Sequence, residues 1–300
     1  MNGMPQFLLI GAARAGTTAI YSYLRQCPEI FMPRVKEPNF FAFEGQTLAC
    51  RGPGADYINN SITRLADYRD LFATSPPGAV LGEASPLYLF ADQAAARILH
   101  HAPDARLVVV LRNPVEQAFS HFMYATKQRI EPLTDFVAAL NAEDQRIADG
   151  WQPLFGYSRF PRYSEQLARY LALFPREQIL IRLYEEFERD PATLMQDILA
   201  HIGVTSGFRP DMAIKHNAGG VPKNRIFQDF LMKYNPVTRA IGLVVPQETR
   251  LRIRDRLAGF NLKRDETMPP EARAILLNRL GDQIKALQPM IDRDLSNWLT

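Results

Sequence analysis

Cysteine is nearly absent. The two residues present, Cys27 and Cys50, form no C-x-x-C pair and no disulfide framework, which fits a reducing cytoplasm. An excess of either charge is missing too: 35 Lys+Arg against 32 Asp+Glu leave a formal net charge of +3. That balance gives no reason to expect nucleic acid as a partner, while leaving room for a local basic pocket around an anionic ligand. No apolar run is long enough to cross a bilayer. No cationic stretch precedes the first apolar run, so it reads as a core strand and not as a leader. Histidine is scarce, and the His100-His101 pair at a helix end has no companion ligands, so no metal site is expected. Internal repeats, coiled-coil heptads and low-complexity tracts are also lacking. With 47% hydrophobic residues the chain has enough apolar mass for a sizeable core, and we expect a single domain over residues 1–300.

The most informative stretch runs from Phe7 to Leu24. Phe7-Leu8-Leu9-Ile10 is a buried-strand pattern, Gly11 to Gly16 is a turn with glycine at both ends, and an apolar-periodic helix starts near Thr17. Strand, glycine turn and helix together aim backbone N–H groups and a helix N-terminus at an anion. The glycine spacing is that of a G-x-x-x-x-G-K-[ST] phosphate loop, with one departure. Thr17 stands where the lysine should be, and the cation, Arg14, lies inside the loop.

A second junction of the same kind follows. Arg106-Leu107-Val108-Val109-Val110-Leu111 is β-branched and almost unbroken, as central parallel strands are. Arg112 stands at its carboxyl end, Asn113 is a good N-cap, Pro114 a good first helical residue, and Ser120 falls about two turns into the helix. Ligands of open α/β sheets bind beyond the carboxyl ends of strands, so Arg112 is either a phosphate fork or half of a strand-end salt bridge. Between the junctions, Lys36-Glu37-Pro38-Asn39-Phe40-Phe41 sets a Lys-Glu pair among aromatics. It is either a surface turn fixed by Pro38 or a carboxylate in an apolar cleft, where desolvation raises its pKa toward a useful base. Val80 to Tyr88 is a strand running into a turn, with Glu83 read as an arginine partner near the strand end. Further along we expect a polar surface helix over 134–149, an aromatic loop over 150–157, a late edge strand over 178–183, a basic glycine loop over 215–225 and an amphipathic helix over 271–290.

These motifs, taken together, resemble the sulfotransferases that use 3′-phosphoadenosine 5′-phosphosulfate (PAPS), in particular the heparan-sulfate type and its bacterial relatives. G-x-x-[KR]-x-G-T-T is similar to the family's 5′-phosphosulfate loop. Arg112, Pro114, Ala118 and Ser120 match its 3′-phosphate motif, with Gln117 in place of a common arginine. Glu37 before x-x-Phe-Phe matches its general base. Glu83-x-Ser85-x-x-Tyr88 is similar to an acceptor-cleft segment, and Leu295-x-x-Trp298 to the closing Leu-x-x-W.

The fold this resemblance implies is a three-layer α/β/α domain around a parallel sheet, of the phosphate-loop type. The function implied is sulfuryl transfer to a hydroxyl or amine, leaving adenosine 3′,5′-bisphosphate and needing no metal. Glu37 and Arg14 are the implied catalytic residues. Arg14, Ala15, Gly16, Thr17, Thr18, Arg112 and Ser120 are implied to hold the donor, with Lys223, Asn224 and Arg225 in a covering loop. Lys36, Phe40, Glu83, Tyr88 and Tyr124 are implied to face the acceptor, Tyr124 standing where many heparan-type relatives have histidine. His121, one residue after Ser120, points off that face of the helix. Ala84 stands where several of those relatives have lysine, which argues against a highly anionic polysaccharide acceptor. The alternatives are a nucleotide kinase or ATPase, which would need lysine at Thr17 and an acidic metal ligand after Leu111, and a non-catalytic nucleotide-binding protein.

Overall fold

The computed structural model describes residues 3–212, 221–222, 262–263 and 267–300. The β-branched and apolar runs form the sheet expected of them. Strands β1 (Phe7–Gly11), β2 (Ile30–Phe31), β3 (Val80–Ala84), β4 (Arg106–Leu111) and β5 (Ile179–Leu183) lie in the order β2-β3-β1-β4-β5. Every pairing is parallel. Every residue of β1 is buried, and β4 is buried from Leu107 onward. These are the strands whose sequences carry no alternation, because helices cover them.

The strand order sets the site. After β1 the chain moves to the β2–β3 side, then crosses to β4 on the other flank of β1. A crevice opens where the winding reverses, above the carboxyl ends of β1 and β4. Helix α1 (Thr17–Leu24) leaves the end of β1. The segment between β2 and β3 holds three short helices, α2 (Phe40–Phe43), α3 (Asp56–Asn59) and α4 (Leu65–Asp70). Helices α5 (Leu87–Phe90) and α6 (Ala94–His101) follow β3.

Helix α7 (Pro114–Lys127) leaves the end of β4 with the expected cap: the Asn113 side chain accepts from the Val115 N–H at 3.0 Å, and Pro114 sits in the first turn. Beyond it come α8 (Phe136–Asn141), α9 (Glu143–Ala148) and α10 (Tyr163–Leu171). After β5 come α11 (Tyr184–Arg189) and α12 (Pro191–His201), and α13 (Pro270–Ile291) closes the chain with a short 3-10 turn over Ser296–Leu299. Val221–Pro222 and Leu262–Lys263 pair antiparallel as a two-stranded ribbon.

One expectation is corrected. Residues 134–149 are not one polar surface helix but α8 and α9, and α9 turns two charged side chains inward. Arg146 forms a bidentate pair with Glu131 at 2.7 and 2.9 Å, joined by the Tyr157 hydroxyl at 2.6 Å, while Glu143 accepts from Ser158. Charge read as a solvated face is here a buried network, satisfied by residues from both flanking loops. The aromatics of the 150–157 loop pack inward. Phe155 and Tyr157 are buried beside Val115, Phe122, Leu276 and Leu280 in a second core under α7, and Trp151 packs against it.

Candidate functional site

The loop between β1 and α1 is held open by backbone conformation and by α7. Gly16, at the head of α1, has φ +80°, which glycine tolerates without strain. Arg14 has φ +64°, an uncommon state for a side-chain-bearing residue. The amides of Gly16, Thr17 and Thr18 find no acceptor among the described residues, while the Ala15 N–H turns to the Ala12 carbonyl at 3.3 Å. Three donors therefore point outward from the helix N-terminus, the arrangement that receives an anion.

Three residues of the second junction meet this loop. The Arg112 guanidinium donates to the Arg14 carbonyl at 3.0 Å, Gln117 Nε2 to the Ala13 carbonyl at 3.2 Å, and Arg14 Nε to Ser120 Oγ at 3.4 Å. The guanidinium of Arg14 lies 4.5 Å over the Tyr124 ring, and that of Arg112 lies 4.8 Å over the Tyr184 ring. Neither has a carboxylate in salt-bridge contact among the described residues. Burial lowers the Arg14 pKa, and the nearby Arg112 charge adds to the effect. Two cations drawn together without an anion, beside three open amides, make a site short of negative charge.

Glu37 stands across from them. Its φ is +61° and that of Asn39 is +56°, so the Glu37-Pro38-Asn39 turn holds two left-handed residues. The Glu37 carboxylate takes a hydrogen bond from the Tyr57 hydroxyl and is in contact with the Lys36 ammonium. Its charge acts on both Arg14 and Tyr124. Of the five non-glycine residues with positive φ among the described residues, Arg14 and Glu37 stand at this crevice and Asn39 lies in the same turn as Glu37, a clustering common at functional sites.

Several expected site residues stand elsewhere. Phe40, Glu83 and Tyr88 are 0–1% exposed and lie behind the crevice, so they are not part of an acceptor surface here. Among the described residues Glu83 has no arginine partner either; its carboxyl accepts from three hydroxyls instead. Burial pushes the pKa of Glu83 up to about 7. His121 turns into the core, edge-on to Tyr157 and Phe160, which agrees with its helical position. Lys223, Asn224 and Arg225 lie outside the described residues.

Sequence reasoning missed Tyr57 and Tyr184 as parts of the site's framework, and assigned Gln117 and Ser85 no contact there. Gln117 and Ser85 sit within the motifs and signal themselves only by that. Tyr57 comes from α3, far from any motif, and nothing in the sequence marks it.

Known proteins share this fold. A bacterial sulfotransferase of known crystal structure, from Alicyclobacillus acidocaldarius, superposes with a TM-score of 0.76 at 30% identity, covering 99% of both chains. The sulfotransferase domain of a Synechococcus olefin synthase shares the fold, with a TM-score of 0.51 at 15% identity over 89% of this chain and 97% of that one. Among curated proteins, mouse heparan sulfate glucosamine 3-O-sulfotransferase 3B1 is 27% identical over 202 residues, 67% of this chain and 46% of its own length. The human 3-O-sulfotransferase 6 is 30% identical over 63% of this chain and 49% of its own. The chain thus spans about half the length of the curated relatives it matches. Residues 5–208 match the profile of the sulfotransferase family, and the chain belongs to that family.

Proposed function

We propose that this chain, acting as one domain over residues 1–300 in the cytoplasm, moves a sulfuryl group from PAPS to a hydroxyl or amine. The observation that carries the reading is the convergence of Arg14 and Arg112 on one crevice with three open amides and Glu37 opposite. The donor supplies an activated sulfuryl group on a phosphate. The amides of Gly16, Thr17 and Thr18 hold the 5′-phosphate; Arg112 and Ser120 grip the 3′-phosphate, a group that ATP lacks. In-line attack forms the acceptor O–S or N–S bond while the S–O bond to the 5′-phosphate breaks. Glu37 takes the acceptor proton. Arg14 stabilises charge on the bridging oxygen as it departs with adenosine 3′,5′-bisphosphate. Lys36 and Tyr124 stand at the acceptor side.

The acceptor is a small molecule, a glycan or a lipid that is not strongly anionic. The mouse and human relatives are heparan sulfate sulfotransferases by name, but Ala84 here is apolar and the net charge is only +3. A nucleotide kinase is disfavoured because Thr17 and Arg112 replace the lysine and acidic metal ligand it would need.

The test pairs binding with turnover. Calorimetry should show tight binding of adenosine 3′,5′-bisphosphate and weaker binding of ATP–Mg²⁺; the reverse order refutes the reading. Glu37→Gln should lower transfer of label from [³⁵S]PAPS by about 10²-fold or more with bisphosphate affinity kept. Arg112→Ala should weaken that affinity while leaving binding of adenosine 5′-phosphosulfate, which lacks the 3′-phosphate, nearly unchanged.

A further inference from the structure

Glu83 is an acid where an acid is costly. It stands near the end of β3, 1% exposed. Among the described residues no cation offsets it. Its carboxyl accepts from Ser85 Oγ at 2.5 Å, Tyr88 Oη at 2.7 Å and Tyr68 Oη at 3.2 Å. An isolated buried carboxyl is expensive, and a glutamine or an apolar residue would fill the space more cheaply.

What the carboxyl fixes is the direction of one hydroxyl. Ser85 gives its proton to Glu83, so its lone pairs are left to accept, and they accept the Asn39 N–H at 3.2 Å. Asn39 closes the turn that begins at Glu37. The other end is tied to the same segment, because the Glu37 N–H donates to the Ala84 carbonyl at 3.1 Å. The rings that flank Glu83 press on the same stretch: Tyr68 stacks on Phe40 at 4.5 Å, and Tyr88 meets Phe41 edge-on at 5.4 Å. A turn with two left-handed side-chain-bearing residues keeps that shape only when its surroundings over-determine it. Residues 83–85 do so from both ends.

We propose that Glu83 is a positioning residue for proton transfer at Glu37, acting through the Ser85 hydroxyl and the Asn39 amide. The inference rests on the proposed sulfuryl transfer. Glu83 touches neither donor nor acceptor; it aims the base. Loss of the carboxylate lets the Ser85 hydroxyl rotate, frees the Asn39 N–H and lets the Glu37 carboxylate drift from line. A displacement of that size at a reacting group lowers turnover without touching the donor site on the far side of the crevice.

Three variants test it, each measured in the full chain. Glu83→Gln keeps the shape but puts an amide N–H2 in place of one carboxyl oxygen that accepts from hydroxyls, so a contact on that side must turn away. Ser85→Ala removes the relay itself. Tyr68→Phe keeps the stacked ring and drops only the longest of the three hydroxyl contacts. With [³⁵S]PAPS and the hydroxyl acceptor that the wild-type chain sulfates, Glu83→Gln and Ser85→Ala should lose about tenfold or more in kcat. Affinity for adenosine 3′,5′-bisphosphate should stay within about twofold, since the phosphate donors are untouched. Tyr68→Phe should keep its kcat. In amide hydrogen exchange, both damaging variants should speed exchange across residues 37–41 and leave residues 11–18 protected as in the wild type. Full kcat in Glu83→Gln or Ser85→Ala, or unchanged exchange across residues 37–41, overturns the positioning role. Equal loss in all three variants assigns the cluster to stability alone and also overturns it. A wild-type chain that transfers no label refutes the proposed function instead, and the exchange measurement still decides whether Glu83 holds the turn.

Discussion

Glu83 and His121 are buried titratable groups that pull the folded state in opposite directions as pH changes. The folded pKa of Glu83 is about 7 against an ordinary 4.5, chiefly because burial disfavours its charged form. Between those values the native protein keeps a proton that the unfolded chain has released, so stability falls as pH rises through that window. His121 is the mirror case: burial first, then the Arg14 charge, bring it from 6.5 to about 3, and its Nδ1 has no partner. There the unfolded chain binds a proton that the native one refuses, so stability rises with pH across that window. The two slopes oppose each other where the windows overlap, from 4.5 to 6.5. Denaturant unfolding from pH 4 to 8 should therefore show Glu83→Gln gaining stability with pH more steeply than the wild type in the overlap. His121→Phe should lose stability with pH there. Parallel curves for all three proteins would mean that neither group is shifted by folding. Neither behaviour is legible in the sequence. Arg14, Glu37 and Arg112 sit in recognisable strings, whereas the state of Glu83 depends on Tyr68, which comes from α4 and belongs to no motif. Placing Glu83 on an acceptor surface failed for the same reason: the pattern names the segment but not which way its side chain points.

At the scale of elements, the strands were legible and the approaches between them were not. β1 and β4 announce themselves by unbroken apolar runs, and α7 by its Asn-Pro start. Phe7 pairs in register with Gly82 on β3, and a Cβ at Gly82 would fall inside the Phe7 ring. Phe7 is fully buried and has nowhere to retreat. The glycine is thus required by contact, not by backbone angle. Gly82→Ala should cost about 3 kcal/mol or more in urea unfolding, the upper range for overpacking a tight core. A loss below about 1 kcal/mol would show that β1 and β3 can separate freely at that pair. The division of residues 134–149 into α8 and α9 makes a related point. Helical periodicity marks residues that lie on helices, but Glu143 and Arg146 turn inward only because Ser158 and Glu131 wait for them, and those partners come from loops.

At the scale of the molecule, a parallel sheet gathers its loops at one end and leaves the far end of the chain to brace them. The last helix does this through a single tryptophan. α13 lines its inner face with Leu276, Leu280, Ile284, Leu287 and Ile291, which carry the chain back across the core. Trp298 then seats at 1% exposure and donates Nε1–H to the Glu185 carboxylate at 2.9 Å. Glu185 follows Tyr184, the residue whose ring lies against the Arg112 guanidinium. The closing segment therefore props the start of α11, which in turn props one cation of the crevice. The closing Leu-x-x-W was readable as an anchor, but its reach to Arg112 depends on α11, which no local pattern connects to it. Trp298→Ala should lower stability by about 3–5 kcal/mol, as large core truncations do. Trp298→Phe is the sharper probe, because it keeps most of the apolar volume and removes only the donor to Glu185. It should weaken binding of adenosine 3′,5′-bisphosphate several-fold and leave that of adenosine 5′-phosphosulfate unchanged, since only the Arg112 end is disturbed. Equal weakening toward both ligands in calorimetry would mean that the tryptophan supports the fold as a whole and has no directed link to the arginine.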